Sequence, residues 1–155
     1  MALLLIRPEF DVWKPGEHTG TFRGNNLAFV TAAEALTYWQ DDTFRASIET
    51  KGALTIDLLS AMVARYPEAR GWVRGRGLIN ALGLDVPGLA ARVSQAAFEQ
   101  RLIIETAGPN DEVLKLLPPL TISDEELRDG IARIGLSLET ALTGAARSTE
   151  AVSAI

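Results

Sequence analysis

The sequence predicts a mixed α/β chain. An end piece of a larger α/β domain spans residues 1–41, a linking helix 42–67 and a small α+β domain 68–141, followed by a flexible tail over 142–155. Three observations predict this. An unbroken apolar run, Ala2–Ile6, reads as a fully buried strand, and such a strand needs neighbours on both sides. Phe44, Ile48, Thr55, Leu59, Met62 and Tyr66 then recur at helical spacing until Pro67 ends the run. Beyond it, apolar runs bounded by turn residues read strand, helix, strand, strand, helix.

Taken in order, the segment after the first strand carries Pro8, Pro15, Gly16, Gly20 and Gly24 and has no periodicity, so it reads as a long loop. Asn25 and Asn26 supply capping side chains for a helix over Leu27–Trp39, which is apolar nearly all round and therefore expected to be buried on several sides. Asp41 and Asp42 cap the linking helix. Trp72–Asp85 reads as one strand with three glycines, a sign of bulges or close backbone approach. Pro87 opens a helix that runs to about Arg101. Strands over Leu102–Thr106 and Val113–Leu117 are joined by a turn with Gly108, Pro109, Asn110 and Asp111. Ser123 and Glu126 have the spacing of a capping box, with Ile122 and Leu127 placed for a hydrophobic staple. Leu127, Ile131, Ile134 and Leu138 give that last helix one apolar face, and small, weakly patterned residues follow.

Composition removes several function classes. A net charge of -5 and scattered basic residues argue against a nucleic-acid partner. The absence of cysteine excludes thiolate catalysis and cysteine metal sites, and a single histidine leaves little for a zinc site or a Ser-His-Asp triad, so no metal is expected. The apolar opening is too short to span a membrane and lacks the flanks of a signal peptide, which makes cytoplasmic residence the expectation. A strand so close to the first residue further suggests that the native protein extends upstream.

The most informative stretch is His18–Ala28. Gly20 and Thr21 place a flexible backbone beside a hydroxyl, and Asn25 and Asn26 open a helix N-terminus, a combination that suits a phosphate or serves only as a cap. The segment His-Thr-Gly-Thr-Phe-Arg-Gly-Asn-Asn-Leu-Ala resembles the class III pyridoxal-phosphate aminotransferase motif His-Gly-x-Thr-[Phe/Tyr]-x-Gly-Asn-Pro-Leu-Ala, departing from it at Thr19 and Asn26. Val73–Leu78 is similar to the strand that opens the small domain in that family, and Val113–Ile122 is similar to its Ile-Arg-[Phe/Leu]-x-Pro-Pro-Leu segment. The three motifs occur in the family's order.

The resemblance implies the end of a fold type I large domain, the linking helix and the small C-terminal domain. It implies a homodimer in which Thr21, with Gly20, contacts the phosphate of pyridoxal 5'-phosphate bound by the partner subunit. It also places Lys115 where many members carry an arginine that clamps a substrate carboxylate; a lysine is a point charge rather than a planar fork. The wording of Phe10–Asn26 together with Lys115 is most similar to the diaminobutyrate–2-oxoglutarate branch. That branch passes the amino group of glutamate to aspartate semialdehyde, for ectoine or siderophore pathways. Another class III omega-aminotransferase substrate, or a non-catalytic binding or regulatory module derived from the fold, are the alternatives. The family's Schiff-base lysine lies upstream of the motifs present here, and Lys14, Lys51 and Lys115 are the only lysines. The resemblance therefore assigns no catalytic residue to this chain and implies that it is inactive alone.

The other reactive types have simpler readings. His18 suits a loop contact better than a general base without an acidic orienter. Arg74 and Arg76 alternate on a strand and point to solvent. Trp13, Trp39 and Trp72 read as core or interface fillers, and Asp124, Glu125 and Glu126 as charge at a helix N-terminus.

Overall fold

A computed structural model describes residues 4–21 and 24–153, the last nine as backbone alone. The chain divides into two units, 1–45 and 46–155.

The first unit holds a 3-10 turn, Pro8–Phe10, the helix α1, Asn26–Thr37, and the first residues of α2, Asp42–Arg65. Asn25 caps α1 by accepting the Ala28 N–H on Oδ1 at 3.1 Å, and Asp41 caps α2 by accepting the Thr43 N–H at 2.8 Å. The Thr43 N–H also holds the Asp41 carboxyl below the ordinary range. Two expectations need correction. Leu4–Ile6 are not in a strand, and Leu5 is 87% exposed; Ala2 and Leu3 lie outside the described residues. A strand exists only through a paired ladder, and no described segment pairs with this one. The helix α1 forms as expected but buries none of its side chains, Leu27 being 78% exposed. Its helicity comes from the cap and from local propensity, whereas burial needs an opposing face.

The second unit is an antiparallel sheet with helices on one side. Its strands are β1, Gly71–Arg76, β2, Ile79–Leu84, β3, Glu105–Ala107, and β4, Val113–Leu116, in the order β1-β2-β4-β3. The helices are α2, α3, Leu89–Glu99, and α4, Asp124–Ser153. The expected single strand over 72–85 is a hairpin. Arg76 pairs with Ile79 across a two-residue turn, and Gly77 at φ +55 takes the first turn position, as a type II′ hairpin requires. Residues 102–104 precede β3 rather than join it, and α4 runs on to Ser153.

Alternation along the strands sends Leu82, Leu84, Leu114 and Leu116 to the helical side, against Leu59 and Met62 of α2, Leu89 and Val93 of α3, and Leu127, Ile131, Ile134 and Leu138 of α4. The capping box is reciprocal: Ser123 Oγ accepts the Glu126 N–H at 3.1 Å and Glu126 Oε2 accepts the Ser123 N–H at 3.0 Å. Ile122 and Leu127 both join the core, where a staple would place them. A polar clasp ties α3 to α4, because Arg133 donates to the Gln100 carbonyl at 2.7 Å. At the hairpin, α2 comes close enough that a Cβ on Gly52 would lie 2.7 Å from the Gly77 carbonyl oxygen.

Candidate functional site

Thr21 and Gly20 belong to the first unit and Lys115 to the second. Thr21 sits in a turn, exposed, and its hydroxyl makes no hydrogen bond among the described residues. The chain leading to it is shaped by a turn in which the Glu17 N–H donates to the Lys14 carbonyl at 3.1 Å and Glu17 Oε2 accepts the Lys14 N–H at 2.7 Å. The His18 ring stands edge-on to Trp13, with centroids 4.8 Å apart. Asn25 is committed to Ala28, so it acts as a cap. The intervening Phe22 and Arg23 lie outside the described residues.

In the second unit the helices contribute their buried side chains to one face of the sheet. The register defines the other face. One cross-strand row reads Trp72, Gly83, Val113, Ala107, and the next reads Arg74, Ala81, Lys115, Glu105. Arg76 and Ile79 form a third row beside the hairpin turn. Lys115 Nζ donates to Glu105 Oε2 at 2.7 Å, and the ammonium holds the Glu105 carboxyl below the ordinary glutamate range by hydrogen bond first and charge second. Lys115 is 39% and Glu105 69% exposed, so water screens the pair. Lys115 also borders a groove of about 330 Å³ whose walls are otherwise apolar apart from Glu126, including Leu102, Ile104, Pro118 and Ile122. Glu126 is spent on Ser123, whose N–H lowers the glutamate pKa, so this member of the acidic triplet at the α4 N-terminus serves the cap.

Trp72 lies flat over Gly83, where a Cβ would meet the indole at 2.0 Å, and its Nε1–H donates to Asp85 Oδ1 at 3.0 Å. The Arg74 guanidinium stacks 5.0 Å above the same indole. Gly75 shares a sheet face with Asn80, which is 2% exposed; a Cβ at Gly75 would stand 2.0 Å from Asn80 Oδ1, while Asn80 Nδ2 donates to the Gly77 carbonyl at 2.9 Å. The Gly-Arg-Gly sequence therefore reflects Asn80 at its first glycine and the turn at its second.

Sequence reasoning named Lys115, which the structure pairs with Glu105, but named neither Glu105 nor the seat of Trp72. The strand alternation that put Arg74 toward solvent was the signal, but without the register it did not say what lies beside Arg74. Arg74 and Arg76 are indeed exposed.

The pattern that defines the aminotransferase class-III family matches residues 7–138. The chain is 54% identical over 139 residues to a diaminobutyrate–2-oxoglutarate transaminase of Halalkalibacterium halodurans, covering 90% of this chain and 33% of that protein. It is 48% identical over 143 residues to the transaminase of the same name from Virgibacillus pantothenticus, covering 92% and 34%. It thus spans about a third of the length of the curated relatives it matches. Among solved structures it is similar to an ornithine aminotransferase from Toxoplasma gondii with PLP at partial occupancy in its active site. The TM-score is 0.71 at 34% identity, over 84% of this chain and 31% of that one. An acetylornithine aminotransferase from Elizabethkingia anophelis gives 0.71 at 30% identity, over 84% and 34%.

Proposed function

We propose that this chain, which belongs to the aminotransferase class-III family, is the C-terminal part of a pyridoxal-phosphate transaminase acting between diaminobutyrate and 2-oxoglutarate. The observation that carries the substrate is the 54% identity, over 90% of this chain, to a relative of that name. In this reading residues 1–41 complete a large cofactor domain, 42–67 link it to the small domain 68–141, and 142–155 are a tail. The whole protein works as a cytoplasmic homodimer, with glutamate and aspartate semialdehyde as the other reaction partners, in an ectoine or siderophore route. Among the described residues no helix is long and apolar enough to cross a membrane.

The residues present fit one part of the cofactor and not another. An exposed threonine hydroxyl with no hydrogen bond among the described residues, preceded by a glycine, suits a phosphate oxygen. The lysines do not suit covalent attachment of the cofactor. Lys14 stands in the turn with Glu17, Lys51 is on α2, and Lys115 is paired with Glu105. The cofactor, when bound, would supply an aldehyde that takes up the amino group between substrates and a pyridine ring that acts as an electron sink. Thr21 would donate to its phosphate from the neighbouring subunit, and Lys115, still bonded to Glu105, would hold a substrate carboxylate with its remaining N–H donors. The 155-residue chain by itself turns nothing over.

The test is a chimera in which this chain replaces the matching third of the Halalkalibacterium halodurans relative. Transfer between diaminobutyrate and 2-oxoglutarate is expected, with ornithine a poor amino donor. A folded, cofactor-loaded chimera that prefers ornithine refutes the substrate. For the chain alone, borohydride reduction after incubation with the cofactor should label no single lysine stoichiometrically; specific labelling with turnover refutes its inactivity.

A further inference from the structure

The outer face of the sheet concentrates positive charge in a chain whose net charge is -5. Its three rows hold Arg74, Arg76 and Lys115 against a single carboxylate, Glu105. Asp85, beyond the end of β2, is bonded to the Trp72 indole. Within the middle row Arg74 and Lys115 flank Ala81 on successive strands, which separates their Cα atoms by about 9.5 Å, or two strand spacings. Both cationic groups are held in place by neighbours outside the gap between them. Arg74 is stacked on Trp72, which is fixed in turn by Asp85 and by the missing side chain of Gly83. Lys115 is held from the far side of the row by Glu105. Between the two cations the floor is the methyl of Ala81.

We propose that Arg74 and Lys115 together bind a small aliphatic dicarboxylate laid across Ala81, one carboxylate on each cation. This rests on the reading of Lys115 given above and adds Arg74 as the residue for the second carboxylate. The anchors decide the ligand class. Arg74 is drawn along its strand toward Trp72 and Lys115 across the sheet toward Glu105, so the two heads diverge. One carboxylate cannot meet both without breaking an anchor, whereas two carboxylates joined by a few methylenes can, with the linker over the apolar floor. The guanidinium offers a planar fork to one end, and the ammonium keeps two N–H donors beyond the one Glu105 takes. Glu105 brings the net charge of the row down to +1, so it opposes a dianion in part, and two carboxylates are called for by the separation of the two heads rather than by the total charge.

The test is an NMR titration of the full 155-residue chain with glutarate, with butyrate, and with sodium chloride at matched ionic strength. The Ala81 amide and the Trp72 indole N–H are followed. Glutarate should give saturable shifts at both, butyrate should bind about two- to fivefold more weakly, and chloride should give no saturation. Arg74→Gln should reduce glutarate to the butyrate level, Arg74→Lys should recover part of the loss, and Glu105→Gln should tighten glutarate. If Lys115→Gln weakens glutarate while Arg74→Gln binds it like the parent chain, the role of Arg74 is overturned and the carboxylate role of Lys115 stands. If neither substitution changes the titration, or glutarate never saturates, both fail.

Discussion

Gly52→Ala should destabilise the second unit, although alanine is the better helix former. In the middle of α2 the exchange gains about 1 kcal/mol of helix propensity. The added methyl would lie 2.7 Å from the Gly77 carbonyl oxygen and 2.9 Å from its Cα, so the obstacle is backbone and cannot rotate away. That turn is also constrained, with Gly77 at φ +55 and its carbonyl accepting Asn80 Nδ2–H at 2.9 Å. Overpacking of this kind costs about 1–3 kcal/mol, and disturbing the buried amide adds about 1 kcal/mol. The balance is a net loss of about 2 kcal/mol, which lowers a urea midpoint by about 1 M for a slope near 2 kcal/mol per M. Gly130→Ala in α4 is the internal control, because nothing lies within 4 Å of its added methyl. It should gain up to about 1 kcal/mol. The assay is urea unfolding of both variants and the parent, followed by far-UV circular dichroism. A Gly52→Ala protein at least as stable as the parent refutes the close-contact argument, and a destabilised Gly130→Ala refutes the propensity argument.

Three further outcomes are expected. Ser123→Ala should cost about 1 kcal/mol through loss of the α4 cap. Because the Ser123 N–H and hydroxyl hold Glu126 below its ordinary pKa, that contribution is present above the ordinary glutamate range and is lost as pH falls through the depressed value, and the mutant should show a shallower loss in acid unfolding. By carboxyl NMR, Glu105 should titrate below the ordinary range and move up in Lys115→Gln; an unmoved midpoint would show that Lys115 is not its partner in solution. In the chimeric enzyme, Thr21→Ala should weaken cofactor affinity about tenfold to a hundredfold, the worth of a charge-assisted hydrogen bond, while Thr21→Ser spares it. Equal affinity in the alanine variant, measured by titrating apo-enzyme, removes the phosphate role.

The sequence by itself determined the helices, the caps and the family. Asn25 to Ala28, Asp41 to Thr43 and Ser123 to Glu126 act within one turn of chain, and the 3.6-residue spacing of Leu127, Ile131, Ile134 and Leu138 needs no knowledge of what lies opposite. The motifs around Thr21 and Lys115 were legible for the same reason, as runs of adjacent residues. Only the tertiary structure decided the rest. A glycine-rich run such as 71–84 fits one bulged strand or a hairpin equally well, and the choice is made when β2 pairs with β4 as well as with β1. The apolar faces of α1 predicted burial, but burial is a relation between two surfaces, and α1 supplies only one of them. The row of Arg74, Ala81, Lys115 and Glu105 exists only through the register of four strands, which brings together residues far apart in the chain. Local signals are written in spacing along the chain, whereas the neighbours of a charge are set by which strands meet and in what alignment, and that is fixed by the burial of the opposite face.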